Sequence, residues 1–396
     1  MLRDATIICF SGVDWTFNRQ IPQETAHGFA QFGNRVLYVE NTGARTVAWR
    51  DLPRLLQRLR NWWRARGGTA PVAGVDVFSP LLIPLPYAPA AISINTAAML
   101  KVIRRWLAKQ RSGPLVVINF LPTPAVRQVI DALEPDAVVY YRTDRMSEST
   151  PAARMLAAFE QQSIAEADVV WATAPQLYEE IVHLNGRVEM LEAGVRSDEF
   201  AEAWRRRDER HATFDGIAGP IAGFAGSLRD ATDLALIEEA ATLAPDITFV
   251  LAGPRFADLS GLQARPNVRL VGTISSAEVP RYFARFDVGI LPYVLDSFTA
   301  GIMPMKLKEY LAAGLPIVST GLPAVKSFAA RHPGLITFAG DARSFVDGLR
   351  SAIENDSAEA VARRLELAKT FDWSRQVARM GELVEDVLLR RSRAAS

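Results

Sequence analysis

Residues 304–320 read PMKLKEYLAAGLPIVST, and this run decides the fold because it spells a short helix, both of its ends and the strand that follows. Pro304 suits the first helical position, where a missing N–H costs nothing, and Leu307 and Leu311 share one face. Gly314 suits the left-handed position just past the last turn, and Pro316 prevents continuation. Ile317 to Thr320 then reads as a buried strand. Upstream, Asp287 to Tyr293 (DVGILPY) is another short apolar strand, so the helix belongs to a strand–loop–helix–strand unit of an open parallel sheet. Lys306 is the anomaly. The helix dipole disfavours a cation in the first turn by ~0.3–1 kcal/mol unless an anion sits there, and a phosphate reverses the sign. Glu309, three residues on, could accept hydrogen bonds from a ribose diol. The alternative is that Lys306 and Glu309 form an ordinary surface pair.

Working outward, the same alternation of short apolar strands and helices recurs along the whole chain. Ile221 to Ala225, Ile247 to Ala252 and Val268 to Val271 precede the unit just described. In the first half, Thr6 to Phe10, Arg35 to Val39, Leu115 to Phe120, Ala137 to Tyr141 and Val169 to Ala174 read as buried strands, with a helix over Gln23 to Gln31. Two parallel-sheet α/β domains follow. The pattern breaks into a charged connection around Glu192 to Arg207. We therefore expect a first Rossmann-like domain over residues 1–205, a second over 206–372, and a C-terminal helix over 373–396 that crosses back to the first.

Ligands of such sheets bind beyond the carboxyl ends of the strands, so the residues after each strand carry the chemistry. In the second domain these are Gly226-Ser227-Leu228-Arg229, Gly253-Pro254-Arg255, Gly272-Thr273 and the loop Asp296 to Met303. Small residues let backbone N–H groups approach a diphosphate, and Arg229 adds a charge-assisted contact. Tight turns alone would also use these glycines. In the first domain VVYYRTD (138–144) places Asp144 just past a buried strand, where a carboxylate could take a proton from an attacking hydroxyl. Otherwise Asp144 or Thr143 caps the next helix. Asp14 to Gln20 forms a polar-aromatic loop after the first strand.

Composition narrows the class. The 396 residues suit two domains, and 49% hydrophobic with 22% charged residues is globular. A net charge of +1 argues against a nucleic-acid protein. The single cysteine, Cys9, lies in the apolar run TIICF, so it excludes an internal disulfide and reads as a core thiol. His27, His183, His211 and His332 have no metal-ligand spacing. No window of about 20 apolar residues suggests a membrane span, and the N-terminus lacks a signal-peptide pattern. We expect a cytoplasmic chain.

The run K-L-x-E-Y-x-x-x-G-x-P-[IV]-V, from Lys306 to Val318, resembles the nucleotide-sugar helix of GT-B glycosyltransferases. That fold has two Rossmann-like domains with parallel sheets facing an interdomain cleft. The resemblance implies a transferase in which the helix N-terminus holds the diphosphate and a carboxylate, here Glu309, grips the ribose. Retaining members carry a further glutamate that holds the donor sugar, and its position here is Gly301. The Met305-Lys306-Leu307 form is closer to the xanthan-type glucuronosyltransferase and to bacterial exopolysaccharide and teichuronic-acid enzymes. By that resemblance Gly226, Ser227, Arg229, Met305, Lys306 and Glu309 bind the donor, and Thr273 lies where backbone groups read a uracil ring. Asp144 matches the proposed base of a Tyr-Arg-x-x-Asp segment, with one residue fewer between. Asp14, Trp15 and Arg19 belong to the acceptor-side loop. Ala193-Gly194-Val195 followed by Phe200 is similar to the stretch joining the two domains. The chain contains no Asp-x-Asp pair, and no metal or cofactor is expected.

Val47 to Arg66 (VAWRDLPRLLQRLRNWWRAR) combines leucines at helical spacing with Trp49, Trp62 and Trp63 and with a basic surround that includes Arg54 and Arg58. This helix suits an anionic membrane surface, or else packs on the first domain with solvated arginines. Met99 to Arg111 is a second apolar-basic stretch. The reading as a whole is an enzyme bound peripherally to the inner leaflet. It would move a sugar, with glucuronate implied by resemblance, from a UDP-sugar to a lipid-linked saccharide acceptor, with inversion. Alternatives are a retaining transferase in which Asp296 replaces the lost carboxylate, a nucleotide-sugar epimerase, or a non-catalytic sensor.

Overall fold

The computed structural model of the chain describes residues 1–16, 19–40, 72–145, 154–209 and 211–395. They form two compact units, Met1–Glu192 with Trp373–Ser396, and Ala193–Asp372. The charged segment expected to link the domains up to residue 205 belongs to the second unit. Its apolar members account for that: the Phe200 ring lies 5.6 Å from that of Phe283, and the Val195 N–H donates to the Phe371 carbonyl at 2.9 Å.

The first unit is built on seven strands: β1 (Thr6–Phe10), β2 (Arg35–Val39), β3 (Val75–Phe78), β4 (Leu115–Asn119), β5 (Ala137–Arg142), β6 (Val169–Ala172) and β7 (Val188–Met190). Their order is β3-β2-β1-β4-β5-β6-β7, and every neighbouring pair is parallel. Reversal of order between β1 and β4 creates a topological switch point at the carboxyl edge. β1 has no exposed residue, as a strand covered on both faces requires. The helix Trp373–Ala395 completes this unit. It packs so closely on the helix Ile21–Gln31 that a Cβ at Gly28 would fall 2.4 Å from Val377 Cγ2. Ion pairs Arg187–Asp386 (2.5 Å) and Arg391–Asp168 (2.8 Å) fix it further.

The second unit repeats the plan with β8 (Ile221–Ala225), β9 (Thr248–Ala252), β10 (Val268–Gly272), β11 (Val288–Leu291), β12 (Ile317–Ser319) and β13 (Ile336–Phe338) in the order β10-β9-β8-β11-β12-β13. Its switch point lies between β8 and β11. Side-chain alternation divides the sheet. Ala222, Phe224, Val288 and Ile290 face a core closed by the helices Leu234–Leu243 and Ala342–Glu354. On the opposite face Tyr310 lies flat on β11, where a Cβ at Gly289 would come within 2.5 Å of the ring, and its buried hydroxyl is 3.0 Å from the Gly223 carbonyl and 3.1 Å from that of Ile290. This contact seats the helix Met305–Ala312 on the two strands that flank the switch point.

Among the described residues no helix is long and apolar enough to cross a membrane.

Candidate functional site

The helix Met305–Ala312 begins one residue later than its sequence suggests. Pro304 takes the N-cap position, because its ψ of 125° is extended, and Met305 opens the helix. Its C-terminus follows expectation: Gly314 has φ +71°, its N–H donates to the Leu311 carbonyl (3.0 Å) and the Leu315 N–H to that of Tyr310 (2.9 Å), the paired bonds of a Schellman motif. Its N-cap residue, Pro304, supplies no side-chain cap, so among the described residues this end keeps its partial positive charge for a ligand.

Lys306 occupies the first turn, and its half-buried side chain lies directly over Gly226, the residue that follows β8. A Cβ at Gly226 would stand 2.3 Å from Lys306 Cε and 2.5 Å from Nζ, so glycine is what lets the lysine descend onto the strand end. The ammonium is 5.0 Å from the Phe224 ring centroid. Among the described residues no carboxylate lies within ion-pair distance of it; the surface pair with Glu309 is not formed. A cation has been placed at a positive helix end without a neutralising anion, which is an unfavourable arrangement that a phosphate would convert into a favourable one.

The neighbouring strand ends form a continuous row. Gly226 N–H donates to the Ala252 carbonyl (2.8 Å), Gly253 N–H to Gly272 (2.7 Å) and Leu228 N–H to Pro254 (2.9 Å). Ser227 and Arg229 continue from Gly226. The exposed Arg229 guanidinium stands 5.8 Å above the Phe298 ring and so links this loop to the one carrying Gly301. Thr273 is exposed at the end of β10, the edge strand, two strands from β8. Met305 and Glu309 are half-buried on the helix. The structure therefore brings Gly226 and Lys306 into contact, while Thr273 is the outermost of the set. Asp296 is spent on its own turn: its carboxylate accepts the Thr299 N–H at 2.7 Å, and Thr299 Oγ1 accepts the Asp296 N–H at 3.0 Å.

In the first unit Asp144 follows β5 at the carboxyl edge and is half-buried beside Thr143, whose hydroxyl is 3.5 Å from Asp144 Oδ2. The N-cap of the helix Leu156–Glu166 is Met155, whose side chain makes no capping hydrogen bond. Beneath Asp144 is a network that sequence reasoning missed. Arg142, 7% exposed, donates from Nε to Glu160 Oε1 (3.2 Å) and from Nη1 to the Leu177 carbonyl (3.0 Å), and pairs with Glu180 (2.8 Å). Tyr140 donates to the same Glu160 oxygen at 2.9 Å; burial, reinforced by that carboxylate, holds its hydroxyl well above the usual phenol range. Arg145 Nε donates to Glu180 at 2.8 Å. Burial pushes the Glu180 carboxyl up, but the hydrogen bond from Arg145, with the charge of Arg142, outweighs this and holds it below its ordinary range. The signal was an arginine closing an otherwise apolar strand, which demands buried acidic partners.

The acceptor-side loop is tied down by another unforeseen residue. Glu40, 5% exposed at the end of β2, accepts the Trp15 N–H at 2.5 Å and the Ser79 hydroxyl. The Trp15 ring packs edge-on against Tyr38 at 5.0 Å, and Gln23 donates to the Asp14 carbonyl at 3.1 Å. Arg19 is 4.0 Å from Glu24. Trp49, Arg54, Arg58, Trp62 and Trp63 lie outside the described residues. A last surprise is Lys308, two residues from Lys306. It is fully buried, donates to the Ala193 carbonyl at 2.7 Å and lies 4.5 Å from the Phe371 ring centroid.

Two Rossmann-like parallel-sheet units are the plan of the GT-B fold, and comparison with solved structures agrees on it. Sucrose-phosphate synthase from Thermosynechococcus elongatus superposes with a TM-score of 0.69 at 13% identity, over 99% of this chain and 100% of that one. HepE of Anabaena, solved with UDP-glucose, gives 0.65 at 13% identity, over 96% and 99%. More particularly, residues 219–355, within the second unit, match the family described as glycosyl transferases group 1. A relative in Bacillus subtilis (strain 168), TuaH, named for a glycosyltransferase role in teichuronic acid biosynthesis, is 27% identical over 230 residues, 56% of this chain and 57% of that protein. The match therefore spans little more than half the length of that relative.

Proposed function

We propose that this chain is a glycosyltransferase that uses a nucleoside diphosphate sugar, with UDP as the leaving group, in cell-surface polysaccharide synthesis. The observation that carries the reading is Lys306 laid over Gly226 at an uncapped helix N-terminus, with no acidic partner among the described residues. In this role the ammonium and the helix end neutralise the diphosphate as the anomeric bond breaks. Arg229 and the backbone of Ser227 add donors, Glu309 holds the ribose, Met305 lies beside them, and Thr273 marks the base end. Asp144 removes the proton from the acceptor hydroxyl as it attacks the anomeric carbon, giving inversion. Asp14, Trp15 and Arg19 contact the acceptor. The engagement of Asp296 in its own turn argues against its standing in for the missing donor-sugar glutamate, and so favours inversion over retention.

The acceptor in this proposal is a lipid-linked saccharide at the inner leaflet of the cell membrane, and glucuronate is the donor sugar that the resemblance to the xanthan-type enzyme favours. The match of residues 219–355 to the group 1 glycosyl transferases and the polysaccharide role in the name of TuaH support the class of reaction. The test is a thermal-shift screen of UDP-sugars followed by transfer to membrane lipid, with the anomeric configuration of the product read by NMR. A retained anomeric configuration would remove Asp144 as base, and the absence of any UDP binding would end the whole assignment.

A further inference from the structure

The first unit carries an apolar corner that the proposed transfer chemistry does not use. From Val77 to Leu100 the chain has no charged residue. This stretch leaves β3 at the carboxyl edge, turns, and enters the helix Pro89–Gln110. Leu82 and Ile92 pack into the core, yet Leu81, Ile83, Leu85 and Ile94 are 50%, 36%, 56% and 55% exposed. The corner is held in this presentation. The buried Asn95 accepts the Ile83 N–H at 2.8 Å and donates to the Ile83 carbonyl at 3.0 Å, stapling the loop to the helix. Pro80, Pro84, Pro86 and Pro89 remove four backbone N–H donors from the same segment, which lowers the cost of taking it out of water.

Further along the same helix the character reverses. Lys101, Arg105 and Lys109 are exposed, and the helix contains no acidic residue. Lys101 lies seven positions beyond Ile94, about 10 Å along the axis at 1.5 Å per residue. An apolar tip followed at that distance by cations matches the step from acyl chains to anionic headgroups.

We infer that this corner, Leu81, Ile83, Leu85 and Ile94, is the part of the first unit that inserts into an anionic phospholipid bilayer, with Lys101, Arg105 and Lys109 at the headgroups. The inference rests on the membrane-associated reading proposed above and names the surface responsible.

The test uses the whole chain with vesicles of phosphatidylcholine containing phosphatidylglycerol. Replacing Leu81→Ser, Leu85→Ser and Ile94→Ser together lowers the vesicle partition coefficient at least tenfold while UDP binding is kept. Unchanged partition of that variant overturns the inference and leaves membrane association standing on other residues. Failure of the wild-type chain to bind vesicles at all overturns both. A wild-type dimer in solution that the triple variant dissolves makes the corner a contact between copies and also overturns it. Fluorescent labelling of Leu85→Cys supplies a second readout, since native Cys9 is fully buried. A blue shift on adding vesicles is expected, and an unshifted spectrum refutes insertion.

Discussion

Replacing Lys306→Ala separates ligand binding from stability in a way that tests the electrostatic core of the proposal. In the unliganded protein the ammonium contributes two small terms of opposite sign. The dipole of an uncapped helix end disfavours it by ~0.3–1 kcal/mol, while its position 5.0 Å from the Phe224 ring is worth ~0.5–1 kcal/mol. These nearly cancel, so the thermal midpoint of the free variant stays close to that of the wild type. With a diphosphate present the balance changes, because a charge-assisted hydrogen bond is worth ~1.5–3 kcal/mol, equivalent to about 10- to 150-fold in dissociation constant. Isothermal titration with UDP measures that ratio, and titration with uridine, which lacks the phosphates, should show no difference between variant and wild type. A UDP constant unchanged within about twofold, or an equal loss for uridine, would refute the phosphate assignment. A large fall in the midpoint of the free protein would show instead that Lys306 is a structural residue.

Asp144→Asn should abolish transfer and leave UDP affinity unaltered, because the proposed base and the diphosphate corner belong to different units; measurable turnover by the variant removes Asp144 from the chemistry. Gly226→Ala sets a methyl group 2.3 Å from Lys306 Cε, and since the obstructing atoms are the movable end of a side chain, the fold should survive by circular dichroism while UDP affinity falls about tenfold. Arg142→Met strands Glu160, 5% exposed, without its cation, so urea unfolding should show a loss of ~3–5 kcal/mol. His211, packed against Phe214 at 5.2 Å and Tyr282 at 4.8 Å, has its pKa lowered below 6.5 by burial and then by Arg281. The folded state therefore binds fewer protons than the unfolded one as pH falls below 6.5, and stability should decline there. His211→Phe should flatten that part of the thermal-midpoint profile, and an unflattened profile would assign the decline to other groups.

How far the fold could be read depends on where each strand lies. Most of the expected strands have apolar runs, such as TIICF in β1 and IAGFA in β8, and both sheets cover these two on both faces; β10, an edge strand interrupted by Arg269, is expected all the same. The three that no apolar run announced, β3, β7 and β13, are all edge strands. Two are three residues long, and all three contain a polar residue and stay partly exposed. An edge strand needs hydrogen bonds from one neighbour and burial on little of its surface, so its composition carries no strong constraint. Parallel pairing with an already formed neighbour determines it, and that neighbour is distant in sequence.

The site divides along a similar line. Lys306 stood out because a local rule, the sign of the helix dipole, was broken within one turn, and a broken local rule can be seen in a single stretch. Lys308 breaks no such rule. Its burial is decided by the Ala193 carbonyl and the Phe371 ring, 115 residues before it in one case and far beyond it in the other. The same holds for Glu40, whose carboxylate gathers Trp15 and Ser79 from two loops that no sequence spacing relates. Two lysines on one helix thus have opposite fates: one is satisfied by distant parts of its own chain, and the other has no acidic partner among the described residues. Only the second is a candidate for binding an anion, and it is the three-dimensional accounting of partners, rather than residue type or helix position, that separates them.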